Sequence, residues 1–122
     1  MAAITVSTDS SQHFKRFYGT GTANQADTLT STVVASHRRQ RLVQVTAVYS
    51  GAPTQTGVII TIDSGISAAH DVTLHTGSAD VRYTIYTPDE DIFLMPGDAI
   101  LINLPAAGGV VTASATILVE EF

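Results

Sequence analysis

The chain has 122 residues and a formal net charge of −5, with 44% hydrophobic and only 14% charged residues, against about 25% charged in ordinary soluble proteins. That balance excludes a disordered chain, and a length near the commonest domain size points to one core. The absence of cysteine excludes disulfide staples, thiolate metal sites and cysteine nucleophiles.

Seventeen threonines stand against a single lysine, a β-rich profile because threonine suits pleated, half-buried surfaces and lysine does not. The start, Met1-Ala2-Ala3-Ile4-Thr5, lacks a basic region followed by an apolar run, and no stretch approaches the ~20 apolar residues that span a bilayer. The expectation is a soluble protein made without a signal peptide, with no membrane partner. Charge is split along the chain. Residues 1–41 carry Lys15, Arg16, Arg38, Arg39 and Arg41 against Asp9 and Asp27, which is +3; residues 42–122 carry Arg82 against nine acids, which is −8. Such asymmetry speaks about partners: it fits docking of copies head to tail or attachment to a charged lattice, or else a solvated surface.

The first forty residues are irregular. Ile4 and Val6, then Phe14, Phe17 and Tyr18, then Leu29, Val33 and Val34 each seed a strand, and residues 1–12 are expected partly as an arm, since early segments are loose unless tied down. Residues 1–27 therefore read as an N-terminal arm or early strands, and 28–122 as the β-sandwich domain, with Thr28–Ser36 in the sheet. From Arg41 to Tyr49, Val43, Val45, Ala47 and Tyr49 share one face. Ser50-Gly51-Ala52-Pro53-Thr54 turns the chain, and Thr56–Asp63 follows as a hairpin partner, with Val58, Ile60 and Ile62 on one side and Ile59 and Thr61 on the other.

A short strand is predicted around His70–His75. In Val81–Tyr86, Val81, Tyr83 and Ile85 alternate with Arg82 and Thr84; Ile92-Phe93-Leu94 is a brief apolar element; Ala99–Leu104 faces Ile100, Ile102 and Leu104 one way. Val110–Glu120 closes the pattern, with Val111, Ala113, Ala115, Ile117 and Val119 inward. Turn signals about every ten residues suit a sandwich or barrel. The fold class is all-β, an antiparallel β-sandwich, jelly-roll-like, with a partly irregular N-terminal arm.

Little here resembles catalytic machinery. No Gly-x-Ser-x-Gly elbow, His-Glu-x-x-His helix or phosphate-cradling loop occurs, and the protein is expected not to be an enzyme and to need no cofactor. His70 and His75 are five apart, on opposite faces of a flat strand, which disfavours a shared zinc. Asp89, Glu90 and Asp91 with Asp98 are the candidate cation ligands, because calcium takes oxygen donors gathered on a loop, but EF-hand spacing is missing. Arg38, Arg39 and Arg41, with Lys15 and Arg16, form the candidate protein interface, their forks suited to a partner's carboxylates. A pI near 5.0 argues against nucleic acid. A sugar-binding sandwich would present flat exposed aromatics; the chain has no Trp, four Tyr and four Phe, and Tyr86 and Phe93 are the rings expected to be exposed.

The run Arg41-Leu-Val-Gln-Val-Thr-Ala-Val-Tyr-Ser-Gly-Ala-Pro, the later Val-Ile-Ile-Thr-Ile-Asp-Ser-Gly with Ala-His-Asp, and Tyr86-Thr-Pro-Asp-Glu-Asp with Pro96-Gly-Asp-Ala-Ile resemble small β-sandwich proteins encoded among head and tail genes of tailed bacteriophages. The resemblance covers about two thirds of the chain and rests on turn and core patterns. It implies a structural part of the virion: foremost a capsid decoration or cement protein that binds the major capsid protein as a trimer or dimer and stabilises the capsid surface. A head fibre, tail or baseplate-associated protein is the first alternative. A carbohydrate- or ligand-binding β-sandwich module is the second.

Overall fold

Period-two alternation without a helix-period stretch folds into eleven strands and one short 3-10 turn among the described residues of the computed structural model, which are 2–52 and 57–122. The strands are β1 (Ala2–Ala3), β2 (Ser7–Ser11), β3 (Phe14–Thr20), β4 (Asp27–Thr30), β5 (Gln40–Tyr49), β6 (Ile59–Asp63), β7 (Val72–Thr76), β8 (Tyr83–Tyr86), β9 (Phe93–Leu94), β10 (Ala99–Leu104) and β11 (Ala113–Glu121). They form two sheets, β1-β4-β10-β6-β7 and β2-β3-β11-β5-β8, with β9 also paired to β5. All pairings are antiparallel except β1 with β4. The chain is an antiparallel β-sandwich, jelly-roll-like, as its pattern predicts.

The two inner faces close one core. Leu29, Ile60, Ile100, Ile102 and Leu104 of the first sheet meet Phe17, Leu42, Val45, Ala47, Ala115, Ile117 and Val119 of the second, all buried. Full burial of each large aliphatic side chain contributes about 1.5–3 kcal/mol. The parity expected of β6, β10 and β11 is the parity found; Val110, though, is exposed, and β11 begins at Ala113.

Several expectations are corrected. Val43 does not share the inner face. Leu118 pairs with Gln44 but Val119 pairs with Leu42, so Val43 is the extra residue of a β-bulge, which flips the strand's parity and sends Leu42 and Gln40 inward. Nor is β6 a hairpin partner of β5: it lies between β10 and β7 in the opposite sheet, so the connection crosses the sandwich. The predicted start at Thr56 and the turn residues Pro53 and Thr54 lie outside the described residues.

Residues expected partly as an arm are woven into both sheets, Ala2–Ala3 along β4 and Ser7–Ser11 along β3. The β2–β3 hairpin turns at Gln12, whose φ is 53°. The strand expected over Thr28–Ser36 stops at Thr30, after which Ser31 still takes the Ile100 N–H on its hydroxyl at 2.9 Å. Around His70 the chain makes a 3-10 turn, Ala68–His70, and only then β7. Among the described residues no helix is long and apolar enough to cross a membrane.

Candidate functional site

The outer face of the β2-β3-β11-β5-β8 sheet is built by the residues that alternate with the core. Cross-strand pairing arranges them in rows: Thr20, Ser114, Val48 and Tyr83; Ser7, Tyr18, Thr116, Thr46 and Ile85; Asp9, Arg16, Leu118 and Gln44; Ser11, Phe14, Glu120, Arg41 and Phe93. The centre, over β11 and β5, carries short hydroxyl side chains and Gln44. Taller side chains rise on either flank, Phe14, Arg16 and Tyr18 from β3 and Tyr83 and Ile85 from β8. An open groove of about 390 Å³ lies over β2, β3, β11 and β5, with Asp9, Phe14 and Arg16 along one side and Thr116, Leu118, Thr46 and Gln44 beneath, while Tyr83 and Ile85 border a separate hollow with His75 and Thr76.

Both tyrosines are set as platforms. Tyr18 is 41% and Tyr83 61% exposed. The Arg16 guanidinium lies 5.9 Å from the Tyr18 ring centroid and is itself held by Asp9 at 2.6 Å. The Arg82 guanidinium lies 5.2 Å from the Tyr83 centroid and donates to the Tyr49 and Ser50 carbonyls at 3.0 and 3.1 Å. An anchored cation against one ring face fixes the ring's orientation. With strands spaced ~4.8 Å, β3 and β8 stand about 14 Å apart across the floor.

β8 inverts the usual patterning. Its apolar residues Tyr83 and Ile85 face water, and its inward position is Thr84, 8% exposed. Tyr86 also points inward, half-buried, its ring 5.7 Å from that of His75 across the sheets. Of the two rings expected to be exposed, Phe93 is, at 44%, while Tyr86 is not. Phe14, Tyr18 and Tyr83 read in the sequence as strand residues and not as exposed rings. The available signal was Thr84, a hydroxyl between two large apolar residues.

The five basic interface candidates are brought to one end of this sheet, but three spend their charge within the chain. Lys15 pairs with Glu121 at 3.0 Å, Arg16 with Asp9, and Arg41 with Glu120 at 3.0 Å and Asp91 at 3.9 Å. Burial pushes the Glu121 carboxyl up, yet hydrogen bonds from Gln40 and Lys15 and the charges of Lys15 and Arg38 outweigh it and hold it below its ordinary value. Arg38 and Arg39 make no ion pair among the described residues. Arg39 instead stacks on Phe93 and Phe122, 5.1 and 5.3 Å from their centroids.

The acidic candidates do not converge. Asp98 accepts the Gly65 and Met95 N–H groups, each at 2.9 Å, and so ties together loops where Gly65 and Gly97 meet backbone to backbone. Asp91 leans on Arg41, and among the described residues no group of three His, Cys, Asp or Glu lies close enough to hold a metal ion. His13, His37 and His70 are exposed and dispersed, His70 bonded to Ser67 at 3.0 Å. One buried carboxyl escaped the sequence reading: Asp27, 2% exposed, has Oδ2 without a partner, and desolvation raises its pKa above the ordinary value against a lowering backbone bond from Thr22.

No family model matches the chain, and no curated protein does. Among solved structures, it is similar to the periplasmic g-type lysozyme inhibitor PliG of Aeromonas hydrophila (12% identity, 96% of this chain and 97% of that one, TM-score 0.42). It is similar also to the pre-peptidase C-terminal domain of a Bacillus anthracis collagenase (12% identity, 100% and 91% covered, TM-score 0.43). A family 29 carbohydrate-binding module complexed with mannohexaose aligns with 17% identity over 95% of this chain and 75% of that one, at a TM-score of 0.42.

Proposed function

We propose that the chain is a non-catalytic binding module that holds an extended polyhydroxylated ligand, an oligosaccharide, along the outer face of the β2-β3-β11-β5-β8 sheet. The observation that carries this is the pair of arginine-backed rings, Tyr18 and Tyr83, on either side of a floor of Ser114, Thr116, Thr46 and Gln44. A sugar ring offers an apolar face of C–H groups and a rim of hydroxyls. Aromatic platforms take the first and hydroxyl or amide side chains the second. Tyr18 and Tyr83 stand on opposite flanks of the sheet, so the ligand is an extended chain that reaches from one ring to the other across the floor. Among the described residues of this face no group has the nucleophile, base and orienting partner of a hydrolase.

The test is titration of neutral oligosaccharides of different linkage into the protein by calorimetry, after an array screen. Binding that grows with chain length over the first few sugar units, and weakens by well over tenfold in a Tyr18→Ala/Tyr83→Ala variant that still folds, supports the module. Absence of any glycan binding sinks it.

A structural part of a phage particle is the second reading, favoured by a different observation. Exposed Val33, Ile66 and Met95, at 58%, 77% and 55%, belong to loops stitched together by hydrogen bonds around Asp98 at one end of the sandwich. Large apolar side chains exposed on neighbouring loops suit a protein contact. Here the chain would co-sediment with particles or empty heads, and Ile66→Lys would release it while glycan titrations stay flat.

A further inference from the structure

Arg39 is the residue on this face whose chemistry the neutral-sugar reading leaves unused. Its side chain is exposed, and its guanidinium is flanked by the Phe93 and Phe122 rings, whose centroids are 6.4 Å apart. The Phe122 N–H donates to the Arg39 carbonyl at 2.9 Å, which locks the second ring in place. No hydrogen bond or ion pair engages the guanidinium among the described residues, whereas Lys15, Arg16 and Arg41 each have an acidic partner. The two rings hold the cation from one side, their centroids 6.4 Å apart, and leave its N–H edge exposed. Such an edge, already oriented, loses little freedom when it takes an oxyanion, and its fork matches a carboxylate or sulfate in two parallel bonds.

Position matters as much as chemistry. Phe93 pairs with Arg41 in the row beyond Leu118 and Gln44, so Arg39 lies just past one end of the groove floor, within reach of a substituent on a chain bound there. Asp91, which would repel an anion there, is turned to Arg41.

We infer that the ligand of the open face is an acidic chain, a glycan bearing carboxylate or sulfate groups, one of which Arg39 takes in its fork beside Phe93 and Phe122. This rests on the module reading above. The shared chemistry is an oxyanion on a sugar; its two sources are a uronate and a sulfate ester.

The experiment measures affinity of the full chain for three probes of equal length, an oligogalacturonate, a sulfated oligosaccharide and a neutral oligosaccharide, in low and physiological salt. It compares the unaltered protein with Arg39→Gln and Arg39→Lys. At least a tenfold preference for one acidic probe over the neutral one is expected, reduced by salt. Arg39→Gln brings acidic binding down to the neutral level without changing neutral binding or Tm, and Arg39→Lys keeps part of the preference because it keeps the charge but not the fork. Whichever acidic probe binds more tightly identifies the source. Neutral binding equal to acidic binding, or a preference that survives in Arg39→Gln, overturns the inference while the module stands. If none of the three probes binds, the module reading and the inference fall together.

Discussion

Truncating the two tyrosine platforms separates binding from folding on this sheet face. A tyrosine buries ~200 Å² when fully covered, so the 61% exposure of Tyr83 leaves about 120 Å² free. A sugar stacked on the ring's open side would cover about half of it. At ~25 cal/mol per Å², 60 Å² corresponds to about 1.5 kcal/mol, or roughly a tenfold loss in affinity for Tyr83→Ala. The same reasoning for Tyr18, 41% exposed, yields about 1 kcal/mol, or roughly fivefold. The rings stand on strands about 14 Å apart, so the losses should add to about 2.5 kcal/mol, near 70-fold. Both side chains lie outside the core, so neither change should move stability by more than about 0.5 kcal/mol. Calorimetric titration beside thermal melts reads both quantities. A double variant that binds the ligand as tightly as the original protein, with an unchanged melt, would refute the stacking role of this face.

Two further perturbations test the interior. Ile102, fully buried in the central strand of its sheet, should cost about 2–5 kcal/mol on truncation to Ala, lowering Tm by roughly 4 °C per kcal/mol; a drop of only a degree or two would mean the two inner faces do not meet there. Asp27 has a folded-state pKa raised above its ordinary 3.8. Its protonated form is therefore favoured by folding, the stability linked to it is present below about pH 3.8, and it is lost as pH rises through the higher folded value. Asp27→Asn should melt higher than the original protein at pH 7, with the advantage closing as pH falls towards 4. Equal melts across that range would show that the carboxyl is not desolvated.

What the sequence displayed and what it hid divide along one physical line. Period two tells which residues share a face, and where both neighbours of a strand are ordinary it also identifies the buried set: Ile100, Ile102 and Leu104 in β10, Ile117 and Val119 in β11. It fails where a partner strand decides. The bulge at Val43 exists because β11 opposes one residue to two, and nothing within Arg41–Tyr49 announces that. The assignment of β6 to the sheet opposite β5 depends on pairings with β10 and β7, so adjacency in sequence misled. The basic residues were legible as charges but not as pairs, since Glu120 and Glu121 reach Arg41 and Lys15 from the far end of the chain. The aromatic face was the least legible part, because an alternating strand reads the same whichever side looks inward.

β8 carries that ambiguity to its functional end. Ile85 is 69% exposed while Thr84 beside it is buried, so the hydrophobic side chain adds little to the core it would ordinarily fill. Replacing Ile85 by Lys should leave stability within about 0.5 kcal/mol of its starting value, as for other surface sites. Ile85 shares its row with Thr46, Thr116 and Tyr18, so the same change places a mobile, hydrated ammonium at the edge of the binding face beside Tyr83. Ligand affinity should then fall several-fold for a neutral chain, through lost apolar contact, while an acidic chain loses less because the new charge compensates. A melt that falls by many degrees would instead mean that β8 turns Ile85 inward, and with it Tyr83, leaving the sheet without one of its two platforms.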